Sequence, residues 1–383
     1  MIKTSERKAV NPFQFGVVID DHAFCNRQDE IAYLKTQIQN GYSTWLYSPR
    51  RFGKTSLVEK VFRELKDTIC VYVDLYNIKS KDDFCRKYSK IIARELFNWK
   101  DDIKVLSRKL SNSFSALSPQ VSIDEFGTPS FSLNVHKIDK QEEIDTILEV
   151  PNDISQRSKK RICIAFDEFQ EISRIDPFML HWMRSSFQRH RGISYIFLGS
   201  KQSLMEDIFT SNTSPFYEFA SKMNLSVISR EELFLFIKQN FIQNELPIND
   251  ETINSILDRS ECQPHFTQYF ASVVFDLINA GSDHEDEGFS EFWMERIVIP
   301  QSDVFQDIFD QLTNSQRLTL QAITRQNDEG IFSETVRSRF NLPVSSSLSE
   351  VLKALQKKGL VYKSTDQYMI ANPIFKAWLL KLG

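Results

Sequence analysis

The spacing of apolar and polar positions changes character once along the chain, near residue 230. Before it, short apolar runs of strand length alternate with stretches whose apolar residues recur every three to four positions. Residues 24–39 (FCNRQDEIAYLKTQIQ) predict a loop entering a helix with Ile31, Leu34 and Ile38 on one face. Ser43–Tyr47 predicts a strand, followed through SPRRFGKT by a helix carrying Leu57, Val61 and Leu65. Ile69–Leu75, Arg161–Phe166 and Ile193–Leu198 are β-branched and aromatic enough to be buried strands, and Asn224–Ile228 is expected to be the last. Helices are expected over 82–97, 142–156 and 178–190, with an inserted loop or hairpin over 111–135, where Ser, Pro and Gly accompany an alternating FSLNV. Strands joined by helical crossovers must run parallel, so the fold class is α/β with a doubly wound parallel sheet.

Beyond Arg230 the strand signal stops. Segments 230–244, 250–260, 264–280 and 288–298 predict consecutive helices, a helical lid. After Pro300 the pattern predicts a helix around 305–326, a short helix over Ser333–Phe340, a helix over Ser347–Lys358 and a hairpin in LVYKSTDQYMI, the elements of a winged helix. With 383 residues the chain exceeds one hydrophobic core, and three domains are expected: α/β over 1–229, lid over 230–302, winged helix over 303–383.

Composition adds little to this plan except bulk: Phe occurs 31 times and Gly only 11, which favours helices and large aromatic cores. A net charge of −4 gives no overall attraction to nucleic acid or anionic membrane, so such a partner would have to meet a local patch. The five cysteines, Cys25, Cys70, Cys85, Cys163 and Cys262, are scattered without a C-x-x-C pair, which disfavours a zinc site or a disulfide framework and fits a reducing cytoplasm. No signal peptide and no 18-residue apolar window are present, so a soluble cytoplasmic protein without a membrane partner is expected.

The chemistry concentrates after the first strand. Ser48, Pro49, Arg50, Arg51, Phe52, Gly53, Lys54 and Thr55 fit G-x-x-x-x-G-K-[ST] except at the first glycine, which is Ser48. Gly53 lets the backbone approach phosphate, Lys54 brings a cation to the β/γ oxygens, and the Thr55 hydroxyl is a ligand for Mg2+. The N–H groups of the following turn, including Ser56, complete an anion site. The partner motif is RICIAFDEF, a strand expected beside the P-loop strand and ending in Asp167, placed for magnesium, and Glu168, placed for the attacking water. Ser200, ending FLGS, has two readings: contact with the γ-phosphate or its water, or a cap on a helix starting near Gln202. The inferred catalytic set is Lys54, Asp167, Glu168 and Ser200, with ATP and Mg2+ as ligands.

Together with VYVDLYNI, CQPHFTQYF and YMIANPIFKAWL, these motifs make nearly the whole chain resemble the prokaryotic archaeal-type P-loop ATPases of the AAA+/STAND superfamily, with helical lid and C-terminal winged helix. The resemblance implies that the segment Phe24–Glu30, with Asn26 and Arg27, lies along the adenine, and that a lid element around Cys262, Gln263, Pro264 and His265 approaches the nucleotide. This chain has Cys262 where the family often has glycine, and His265 reads better as a buried or capping histidine than as a phosphate sensor. Arg50 and Arg51 could meet nucleotide or a neighbouring subunit, and Arg184 and Arg189 could serve as an arginine finger if the protein forms an oligomeric ring; the finger stays unassigned.

Two functions follow. One is an ATP-hydrolysing switch that controls a protein partner through its ATP and ADP states. The other is an ATP-regulated protein that binds DNA through the winged helix, where ten basic residues face seven acidic ones from residue 304 onward. Ser345, Ser346 and Ser347 open the candidate recognition helix without the Arg or Asn that read bases. Phosphoryl transfer to a small molecule lacks any visible second substrate site.

Overall fold

In a computed structural model the described residues are 9–17, 19, 24–96, 117–123, 129–135, 141–326, 330–364 and 367–382. Among them the chain divides into two compact units, one of Arg27–Arg50 with Lys54–Ser226, the other of Met1–Asn26, Arg51–Gly53 and Val227–Gly383.

The first unit holds strands β1 (Thr44–Tyr47), β2 (Thr68–Asp74), β3 (Leu117–Ile123), β4 (Pro129–Val135), β5 (Arg161–Asp167), β6 (Ile193–Gly199) and β7 (Ser221–Asn224). Five form one parallel sheet in the order β2-β5-β6-β1-β7. Here two expectations are corrected. The acidic strand β5 is not beside β1: β6 lies between them, so the strand that leads into Ser200 separates the P-loop strand from the acidic strand. The last strand is Ser221–Asn224 rather than 224–228, because this edge strand is polar and buries only Met223, while the apolar LSVI after it is connecting chain. The hairpin expected in 111–135 is present as antiparallel β3 and β4, and the rest of that segment lies outside the described residues.

Helices α1 (Gln28–Asn40), α2 (Lys54–Glu64), α3 (Lys81–Leu96), α4 (Gln141–Ser158), α5 (Met179–Phe187) and α6 (Gln202–Phe209) complete this unit. α1 buries Ile31, Leu34 and Ile38, the face its spacing predicts, and Gly41 closes it in the left-handed conformation (φ +75°) that glycine adopts without a Cβ penalty. Much of the phenylalanine content is spent beside the sheet, where Phe166, Phe169, Phe197, Phe209 and Phe216 stack or meet edge to face with centroids 4.5–6.0 Å apart.

The second unit is helical up to the winged helix: α7 (Arg230–Gln243), α8 (Asp250–Ser260), α9 (Pro264–Asn279) and α10 (Phe289–Val298) fall where the periodicity puts them. The single helix expected around 305–326 is two, α11 (Ser302–Asp310) and α12 (Asn314–Arg325). Thr313 breaks the run: its hydroxyl accepts from Gln316 N–H while the Gln316 side chain accepts from Thr313 N–H, a capping box that starts a new helix. α13 (Glu334–Arg339), α14 (Ser345–Lys357), the antiparallel pair β8 (Val361–Ser364) and β9 (Gln367–Ile370), and a final α15 (Pro373–Lys381) capped by Asn372 complete the wing region. No described helix is long and apolar enough to cross a membrane.

Candidate active site

β1 delivers the chain into the loop 48–53, and α2 begins at Lys54. Ser48 is 1% exposed and does not have positive φ, so the glycine expected there is not required. The left-handed positions of the loop are Arg51 (φ +69°) and Gly53 (φ +85°). A Cβ on Gly53 would meet nothing within 4 Å; backbone conformation alone accounts for the glycine.

Lys54 is 7% exposed, and its Nζ donates to the Ser48 carbonyl at 2.7 Å and the Pro49 carbonyl at 2.9 Å. Burial lowers its pKa to about 8 against the opposing pull of the Asp167 and Glu168 carboxylates. Thr55 Oγ1 donates to Asp167 Oδ2 at 3.1 Å, and the Tyr72 hydroxyl, from β2, lies 3.3 Å from Thr55 Oγ1 and donates to the same Asp167 oxygen. The other oxygen, Oδ1, accepts from the Glu168 N–H at 2.8 Å.

Glu168 has φ +51°, a conformation that costs a non-glycine residue on the order of 1–2 kcal/mol. Its Oε2 accepts from Ser200 Oγ at 2.7 Å and from the Gln170 side-chain amide. Ser200 does not cap α6, which is preceded by Lys201 and has no side-chain cap; its hydroxyl bonds Glu168, a partner that neither reading named. Gln170 is buried, and a Cβ on Gly199 would stand 2.8 Å from its Oε1 and 2.3 Å from Met205 Cγ, so the glycine ending β6 makes room for it.

The other candidates are dispersed. Arg50 lies over the Tyr76 ring at 5.8 Å, and Ser56 is buried in the first turn of α2. Arg27 is buried, bonded to Glu30 at 2.8 Å and to the Ser226 carbonyl at 2.8 Å. Arg184 lies over Phe219 at 4.5 Å, and Arg189 is paired with Glu149 at 2.7 Å. Within the second unit, the Asn26 side chain donates to Glu232, Arg51 lies over Phe266 at 5.2 Å, and Phe52 meets Tyr362 edge-on at 5.7 Å. His265 is half-buried against Phe15 and Phe266, and Cys262 holds φ +53°, a left-handed conformation that favours glycine.

Tyr72 and Gln170 were not singled out from sequence. Each stands in a motif, VYVDL and FDEFQ, but a strand tyrosine and a glutamine after an acidic pair carry no signal until strand order brings β2 next to β5.

The oxygen set fits a small hard cation. The Thr55 hydroxyl and the Asp167 carboxylate converge, two hard oxygen donors such as would serve a cation that takes its other ligands from water and phosphate.

A lysine-bearing loop between strand and helix, with a hydroxyl–carboxylate pair at the C-terminal ends of parallel strands, defines a P-loop nucleotide site on an α/β sheet. Residues 24–266 match the family described as "ATPase domain predominantly from Archaea", and 303–381 match "Probable winged helix domain". The chain belongs to this archaeal-type P-loop ATPase family and carries a C-terminal winged helix domain. Among solved structures, a Walker-type ATPase of Pyrococcus abyssi aligns with TM-score 0.65 and 18% identity over 94% of this chain and 97% of its own. The Aeropyrum pernix ORC2 protein, solved with ADPNP and ADP, aligns with TM-score 0.55 and 14% identity over 97% and 98%. Both show a shared fold. No curated protein matches the sequence.

Proposed function

We propose that the chain is a magnesium-dependent ATP hydrolase whose nucleotide state controls a partner. The observation that carries the reading is the convergence of Thr55 and Asp167 beside a buried Lys54 whose amine is held by loop carbonyls. In this reading the Lys54 ammonium exchanges those carbonyls for β/γ-phosphate oxygens, and the N–H groups from Gly53 to Ser56 complete the anion cradle. Thr55 and Asp167 would hold Mg2+, which when bound neutralises phosphate charge. Glu168 orients and deprotonates the attacking water, while Ser200 and Gln170, both bonded to Oε2, fix the direction of its carboxylate. Asn26 and Arg27 are assigned to the adenine side by family resemblance.

The switch role rests on the family resemblance, in which ATP and ADP states favour different positions of the lid and winged helix.

Calorimetric ADP and ATP binding together with phosphate release tests the reading. Lys54→Ala is expected to lose nucleotide binding, and Glu168→Gln to keep binding while turnover falls by about 100-fold or more, the usual contribution of a general base. Undiminished phosphate release by Lys54→Ala would overturn the assignment. In Glu168→Gln, ATP and ADP should give different protease-resistant fragments; identical fragments remove the switch.

A further inference from the structure

The Asp167 carboxylate receives three hydrogen bonds. Glu168 N–H takes Oδ1, and the hydroxyls of Thr55 and Tyr72 both point at Oδ2. These three donors come from three elements: the turn after β5, the first turn of α2, and β2. Register explains the meeting. β2 lies directly against β5 with Tyr72 opposite Ala165 and Asp74 opposite Asp167, so a long side chain at position 72 reaches the end of the neighbouring strand.

Counting protons shows what the phenol adds. Thr55 has one hydroxyl proton, and it goes to Asp167. The lone pairs of Thr55 Oγ1 are therefore left for an acceptor role toward a cation, provided the carboxylate stays where it can keep receiving that proton. The Glu168 N–H fixes Oδ1, but with Thr55 alone on Oδ2 the carboxylate would be oriented by the very hydroxyl it has to orient. The Tyr72 hydroxyl gives Oδ2 a donor from β2 that does not depend on Thr55.

We infer that Tyr72 is a positioning residue for the divalent-cation site, holding Asp167 in the orientation that leaves Thr55 ready to ligate the metal. The inference rests on the nucleotide-hydrolase reading above and adds to it a residue outside both nucleotide motifs. Tyr72 does not touch nucleotide or the reacting atoms in this role; it acts through Asp167.

The test uses the full-length chain and ADP as the probe, with affinity measured by calorimetry in excess EDTA and again in excess MgCl2. The ratio of the two affinities reports the metal site alone. Tyr72→Phe, which removes one oxygen and keeps the ring, is expected to leave the EDTA affinity unchanged and to reduce the magnesium-dependent gain by about 10-fold, the lower end of what outer hydrogen-bond partners of a metal site contribute. A general structural role would lower both affinities equally and leave the ratio intact. Thus an unchanged ratio in Tyr72→Phe overturns the inference while the nucleotide reading stands. Wild-type protein that binds ADP in neither condition overturns both.

Discussion

A histidine beside a guanidinium is a poor place for a second positive charge. Burial, with Arg51 nearby, lowers the His265 pKa to about 4, so the folded protein keeps it neutral where an unfolded chain, near 6.5, takes up a proton. Between those values the unfolded state binds more protons, and stability is lost as pH falls from about 6.5 to about 4. His190, also lowered by burial, contributes in the same direction, so the difference between wild type and His265→Gln isolates the effect. Urea unfolding at pH 7 and pH 4.5 should show a smaller acid loss in His265→Gln; equal losses would refute the account. The same residue is half-buried against aromatic rings, where the sequence left a choice between a buried and a capping histidine. Tyr72 illustrates the opposite case. Its partner is 95 residues away, and nothing local to VYVDL announces a bond to Asp167.

At the scale of elements, hydropathy period located most helices and four sheet strands because those segments bury one face and are bounded by turn-forming residues. It failed where burial was slight or where a cap outweighed periodicity. The edge strand β7 is polar, and α11 and α12 share a continuous helical period across Gln311–Thr313. A capping box is readable as T-x-x-Q, but inside a long amphipathic run it competes with the option of continuing the helix. Its strength can be measured: Thr313→Ala should cost about 1 kcal/mol in denaturant unfolding and Thr313→Gly only a few tenths, since glycine tolerates the cap backbone. Equal costs would mean that the side-chain bond contributes nothing. Strand order was the larger gap, because the same alternation of strands and helices is compatible with β5 beside β1 or with β6 between them, and only packing chooses.

For the whole molecule the open choice is between a partner protein and DNA. Of the ten basic residues beyond residue 304, Arg317, Lys353, Lys376 and Lys381 are ion-paired to Asp310, Glu350, Glu261 and Glu295. Of the other six, Arg325 and Arg337 are partly buried and Arg339 lies on the separate helix α13, while Lys357, Lys358 and Lys363 stand close together in sequence at the end of α14 and in β8, a cluster enough for about three phosphate contacts. The expected outcome of a duplex titration is therefore a log–log salt slope no steeper than about −3, where each neutralised phosphate contributes about −0.9. A slope near −6 or steeper would favour the DNA-binding reading over the partner-controlled switch.

The place of β6 in the sheet has a consequence for how the protein loosens. Strands at the two margins, β2 and β7, can peel away by breaking hydrogen bonds on one side only, whereas β5, β6 and β1 are bonded on both. Amide exchange should therefore be slowest along β5, β6 and β1, the first two of which lead to Asp167 and Ser200. Asp167 thus ends a strand that opens last, with Glu168 and its partner Ser200 directly beyond β5 and β6, and the hydroxyl of Tyr72 sits on a strand that opens first.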